Sequence, residues 1–135
     1  MTRGAAQGSC ANRESLLTPF PGLPGSASHS RLVQRLRRRY EDELPLLPPG
    51  APTQDSMAAC LAALAERGHD ELGARLRILR QLVMERLVVL DCEQAAPLAV
   101  VTRAVTELAE LALDAACAHA FAQLDERHGA PLTEA

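Results

Sequence analysis

The residues with the spacing to do chemistry lie in the C-terminal third of this 135-residue chain. Glu110 and Asp114 stand four apart and Asp125 and His128 three apart, so on a helix each pair shares a face and can reach one cation. A helical di-metal centre asks for more: Glu-x-x-His pairs on two helices and two further Glu, which this segment does not supply. The two pairs therefore read as a solvated acidic face. His69 follows a glycine with no second ligand at metal spacing, and reads as a loop histidine. Cys10, Cys60, Cys92 and Cys117 are separated by 50, 32 and 25 residues, which suggests neither a zinc site nor a disulfide framework. No Gly-rich phosphate loop, G-x-S-x-G or H-E-x-x-H is present. From the residues alone, no side chain is assigned a catalytic, cofactor-binding or metal-binding role.

The elements that would carry these residues are helical. Apolar residues make up 47% of the chain but aromatics only 2%, with no Trp, one Tyr and two Phe, so the core must be built of Leu, Val and Ala. Every basic residue is Arg, which matches the amino-acid usage of a GC-rich genome. The net charge of −3 is unevenly spread: residues 30–44 carry five Arg against three acids, and residues 92–135 two Arg against seven acids. No basic tail, stacking aromatic or recognition motif accompanies the basic stretch, so nucleic acid is not an expected partner. No signal-peptide core or membrane-length apolar run is found, and a reducing cytoplasm is the expected setting.

The central element is Asp70 to Asp91, with Leu72, Leu76, Leu79, Val83, Leu87 and Leu90 spaced by three or four along one helical face. A second row, Ile78, Leu82 and Val89, widens that face enough for neighbours on two sides. Arg75, Arg77, Arg80 and Arg86 ride on the same helix without forming one stripe.

Residues 1–29 are rich in Gly, Pro and Ser and read as a flexible leader, with Leu16, Leu17, Phe20 and Leu23 as a possible docking strap. Residues 30–135 read as a bundle. Ser28 or Ser30 caps a helix to about Leu44, with Leu32, Val33, Leu36, Tyr40 and Leu44 apolar; Arg37, Arg38 and Arg39 face mostly solvent, and Arg37 and Arg38 can pair with Glu41 and Asp42. Pro45, Pro48, Pro49 and Pro52 then make a stiff connector. Thr53 or Asp55 caps a short Ala-rich helix buried through Met57, Leu61 and Leu64, with Cys60 in the core and Gly68 as its stop. Pro97 opens a last helix that runs to Gly129. Its seam is Val101, Val105, Leu108, Ala112 and Ala115, widened by Leu113, Ala116, Ala120, Phe121 and Leu124. The fold expected is all-α, an irregular bundle of about four helices behind a disordered N-terminal leader.

Two stretches carry a resemblance. The core Leu76, Arg77, Arg80, Met84 and Arg86, then the run through Ala120, Leu124, Gly129 and Pro131, resemble the beginning of the bacterial bifunctional glutamine synthetase adenylyltransferase/adenylyl-removing enzyme. The resemblance covers Ser28 to Pro131. It implies a parent that moves AMP onto and off a tyrosine of glutamine synthetase, using ATP and Mg²⁺ under control of a PII signalling protein. In that family a G-x-G-K-L-G segment and a metal-binding D-x-D pair follow downstream, so this chain is expected to be inactive alone. The resemblance further implies a helical scaffold in which Arg77, Arg80 and Arg86 support the catalytic domain. The alternative is a free-standing helical interaction or oligomerisation module that self-associates through its last helix.

Overall fold

The computed structural model describes residues 26–132. The readings made for residues 1–25, including the strap of Leu16, Leu17, Phe20 and Leu23, lie outside these. The described residues form four helices and no strand: α1 (Arg31–Arg39), α2 (Gln54–Glu66), α3 (Leu72–Gln94) and α4 (Leu98–His128), with single 3-10 turns at Ala27–His29 and Leu44–Leu46.

Each start has a local cause. Ser30 caps α1, its hydroxyl accepting from the Val33 N–H. At α2, Thr53 and Ser56 form a reciprocal capping box: the Ser56 N–H donates to Thr53 Oγ1 at 3.2 Å and the Thr53 N–H to Ser56 Oγ at 2.9 Å. The Gln54 N–H donates to Glu107 Oε2 of α4 at 2.8 Å, which sets a carboxylate at the positive end of the α2 dipole. The stops are equally local. Gly68 takes φ +92° after α2, and Ala95 takes φ 46° after α3, a left-handed conformation that costs a non-Gly residue about 1–2 kcal/mol. The Ala96 N–H closes that end by donating to the Leu90 carbonyl at 3.0 Å.

α3 is the centre of the assembly, packing on α1, α2, α4 and the Ala27–His29 turn, while α2 packs on α4 and on the Leu44–Leu46 turn. Its predicted face is the core: Leu79, Val83, Leu87 and Leu90 are buried together with Ile78 and Leu82 of the second row. Leu72, Leu76 and Val89, toward the ends of these rows, are half-buried. Met57, Cys60 and Leu64 of α2, Leu47 of the connector and Ala104 of α4 complete this cluster. Val33 and Leu36 of α1 are buried too.

Three expectations are corrected. The first helix ends at Arg39, not near Leu44: Tyr40 is its cap, and the chain turns into the 3-10 segment at Leu44–Leu46. Pro45 has no N–H to donate into a helix running through it, and the chain leaves α1 earlier, turning over residues 40–43. The boundary drawn at Ser30 also moves, because Ala27 is 1% exposed and its N–H donates to Glu93 Oε1 at 2.9 Å. Finally, Leu113, Phe121 and Leu124, read as widening the α4 seam, are 65%, 66% and 51% exposed, and Ala104 is the one buried residue of that helix.

Replacing Leu79, which is fully buried, by Asp puts an unpaired charge in the core. Leu79→Asp is expected to unfold the bundle, seen as loss of the helical circular dichroism signal at 25 °C; a melt like that of the parent would show the facing of α3 to be wrong.

Candidate functional site

The principal polar site forms where α1, α3 and the proline-rich connector meet. Glu85 of α3 is 1% exposed, the one buried charged residue among those described. Arg37 of α1 donates from Nε to Glu85 Oε1 at 2.8 Å, and Arg86 donates from Nη1 to Glu85 Oε2 at 2.6 Å. The rest of the Arg86 fork reaches the connector: Nε and Nη2 donate to the Leu47 carbonyl at 3.1 and 2.7 Å, and Nη2 to the Leu44 carbonyl at 3.0 Å. Both carboxylate oxygens are thus satisfied, as burial of a charge requires.

Glu85 escaped the sequence reading, although a signal was there. The second apolar row of α3 runs Ile78, Leu82, Val89, and position 85 completes its four-three-four spacing. A carboxylate in a buried row needs a cationic partner from another element. Arg37 supplies it, so the expected pairing of Arg37 and Arg38 with Glu41 and Asp42 is replaced by one between helices.

The four arginines of α3 separate by role. Arg86 is internal, with its side chain 15% exposed, and is engaged by Glu85 and the connector within this chain. Arg77 and Arg80 are exposed, Arg77 lying 3.9 Å from the exposed Glu71. Arg75 Nε is buried without a hydrogen-bond partner.

The residues first singled out for chemistry are not brought together. Glu110, Asp114, Asp125 and His128 are all exposed on α4. Glu107, a further carboxylate of α4, accepts from the Gln54 N–H at the start of α2. One Glu-x-x-His spacing does occur, Glu66 to His69, but α2 ends at Glu66 and His69 Nε2 lies 3.6 Å from Glu43 Oε1. Among the described residues no three His, Cys, Asp or Glu side chains are placed to hold a metal ion. No helix among the described residues is long and apolar enough to cross a membrane.

Of the cysteines in the described residues, Cys92 and Cys117 are exposed and Cys60 is buried. Burial pushes the Cys60 thiol up to about 11, partly opposed by the nearby Arg86 guanidinium.

The described residues thus form an all-α assembly whose buried carboxylate serves its own packing. The family model for glutamate-ammonia ligase adenylyltransferase matches residues 27–135, and the chain belongs to that family. A bifunctional glutamine synthetase adenylyltransferase/adenylyl-removing enzyme of Aromatoleum aromaticum is 35% identical over 119 residues, 82% of this chain and 12% of that protein. Two enzymes of the same description from Neisseria meningitidis, serogroups A and B, are 34% identical over 68 residues, half of this chain and 8% of theirs. No solved structure matches significantly. The chain therefore spans a small part of the length of the curated relatives it matches.

Two predictions follow from the site. Arg86→Ala leaves Glu85 buried with one partner and frees two carbonyls, and is expected to cost about 3–5 kcal/mol in urea titrations. Arg37→Ala should cost closer to about 1 kcal/mol, because its side chain is 40% exposed and its pair with Glu85 is partly screened. Equal losses would overturn this ranking. For Cys60, the thiol ionises in the unfolded chain near pH 9.0 but in the folded chain near 11. Stability from this residue is therefore full below pH 9 and falls as pH rises toward 11. The parent should lose stability over that window more steeply than Cys60→Ala, whatever the offset between the two; parallel slopes would refute the assignment.

Proposed function

We propose that this chain is a helical scaffold segment of a glutamine synthetase adenylyltransferase/adenylyl-removing enzyme, one that positions the rest of the polypeptide and does not itself transfer AMP. The observation that carries the reading is the second half of α4. From Leu113 onward this helix has three large apolar side chains half or more exposed, at Leu113, Phe121 and Leu124. An apolar ridge of this kind on an otherwise folded chain marks an interaction surface. The curated relatives supply the occupant, since the segment they share with this chain is 12% of the Aromatoleum protein. The remainder of such a polypeptide is the surface that the ridge covers. On this reading ATP and Mg²⁺ belong with the catalytic unit, as does the response to a PII protein. Arg77 and Arg80, but not Arg86, are available to face that unit.

The same ridge fits a second reading, in which the chain is a free-standing helical module that self-associates through α4. The two part in one assay. The chain fused at Ala135 to the remainder of the Aromatoleum relative is expected to adenylylate glutamine synthetase with ATP and Mg²⁺, and the 135-residue chain alone is not. Phe121→Asp with Leu124→Asp should lower the activity of the fusion and leave the melting temperature of the short chain unchanged. Activity in the short chain would overturn the proposal. Full activity of the ridge-substituted fusion, with loss of self-association by the short chain, would favour the interaction module.

A further inference from the structure

We propose that the cleft between α1 and the first half of α3 is a binding site for a ligand with two or more closely spaced phosphates. The cleft, of about 500 Å³, is lined by Arg39 and Tyr40 at the end of α1 and by Arg77, Ile78, Arg80 and Gln81 of α3, with His69 and Glu43 at its edge. A second hollow of about 330 Å³ continues it along α1, sharing Arg39, Tyr40 and Gln81 and adding Arg35. Four guanidinium groups from two helices thus border one groove. Among the described residues Arg35, Arg39 and Arg80 have no carboxylate in salt-bridge reach, and Arg77 has only the 3.9 Å approach of exposed Glu71. Glu43 is the one carboxylate lining the cleft, and its Oε1 lies 3.6 Å from His69 Nε2.

The contrast with the opposite side of α3 is what gives the cleft meaning. Where the chain needs an arginine for packing, it engages it fully, as with Arg86 and its bonds to Glu85, Leu44 and Leu47. In the cleft it gathers arginines with little to engage them: Arg35 and Arg80 have no carboxylate in reach, Arg39 rests 5.6 Å from the centre of the Tyr40 ring, and Arg77 has the 3.9 Å approach of Glu71. Arg35 and Arg39 stand at i,i+4 on α1, and Arg77 and Arg80 at i,i+3 on α3, spacings at which like charges repel and weaken their helices. A compact multivalent anion removes that repulsion at both helices together. Guanidinium forks match phosphate oxygens bidentately, and several phosphates in a row present the charge density that four arginines ask for. The volume lies in the small-ligand range of about 300–1,000 Å³. Tyr40 and Ile78 give the cleft an apolar wall, against which a nucleobase can rest; inorganic polyphosphate would use the arginines alone. The shared chemistry is the phosphate chain, and this proposal stands independently of the scaffold reading.

The test is calorimetric binding to the 135-residue chain at fixed ionic strength, with inorganic tripolyphosphate, ATP and a deca-glutamate peptide as probes, and a thermal melt beside each. Tripolyphosphate and ATP are expected to bind at a single site and raise the melting temperature. Arg39→Ala and Arg80→Ala should each weaken binding about tenfold, the worth of one charge-assisted hydrogen bond. Because these substitutions relieve repulsion, the melting temperature without ligand should hold or rise. Arg38→Ala, exposed on the same helix but outside the cleft, should leave affinity unchanged. ATP binding tighter than tripolyphosphate, with the excess lost in Tyr40→Ala, would identify the nucleotide; equal affinities would identify the phosphate chain alone. Absence of binding by both phosphate probes would overturn the proposal. So would an equal loss in Arg38→Ala, which would mean diffuse attraction, or tighter binding of the glutamate peptide, which would make the cleft a docking groove for an acidic protein segment.

Discussion

The packing of this chain depends on the burial of one carboxylate. Glu85 sits at 1% exposure beside the apolar face of α3, where an unpaired charge would be intolerable. Its two partners come from different parts of the chain. Arg37 brings α1 to α3, and Arg86, adjacent in sequence, turns the rest of its fork onto the Leu44 and Leu47 carbonyls. A single charged cluster therefore fixes α1, the proline-rich connector and α3 in one register. Leu47, the residue whose carbonyl Arg86 holds, is also buried in the core, so the polar clamp and the apolar packing constrain the same turn.

Such a cluster acts on register more than on gross stability. Replacing a buried ion pair by apolar residues of matching shape is commonly neutral or favourable, whereas removing one partner is costly. Apolar contact can hold α3 against α2, because both present several large buried side chains. It is less able to orient α1, which has nine residues and buries only Val33 and Leu36. A helix of that length is marginal by itself and has few side chains with which to choose one rotation over another. The Arg37 to Glu85 bond supplies the choice. It also decides what remains outside: with Arg37 directed at α3, Arg35 and Arg39 are left on the flank that opens into the basic cleft.

The helices and the buried face of α3 were legible in the sequence because a three-four spacing of Leu, Val and Ile has one simple interpretation, whereas on α4 the buried residue, Ala104, lies outside the expected seam and Val105 of that seam is exposed. The stop at Gly68 is a local code and was readable for the same reason, while the caps were narrowed to two candidates each, of which the structure uses Ser30 and Thr53. The end of α1 was not, because Arg37, Arg38, Glu41 and Asp42 have the spacing of intrahelical pairs, and only the tertiary demand of Glu85 takes Arg37 out of that pattern. The division of the α3 arginines was hidden likewise. Arg77, Arg80 and Arg86 belong to one sequence core, yet which point inward follows from where the connector crosses α3, a relation between residues 39 and 42 positions apart. The basic cleft is a property of two helices together and has no signature in either alone.

The two halves of α4 show how the same composition serves different ends. In its first half Ala104 is buried, which lets the helix approach its neighbours closely, and Glu107 caps α2. Beyond Ala112 the alanine-rich pattern continues, but most of its residues face outward. A helix of this length needs no Phe to be stable in water, and Phe is scarce in this chain, with two in 135 residues. That one of them is spent at 66% exposure, beside Leu124 and on the same helix as Leu113, argues that the outward face is built for contact. At about 100° per residue Leu113 and Leu124 stand about 20° apart, and Phe121 lies about 80° from Leu113 among Glu110, Asp114 and Asp125, so the ridge carries its own hydrating charges on the Phe121 side. The ridge belongs to α4 and the arginine cleft to α1 and α3, so a polypeptide seated on the ridge alone leaves the cleft open, whereas one that also meets Arg77 and Arg80 competes with a phosphate ligand for them.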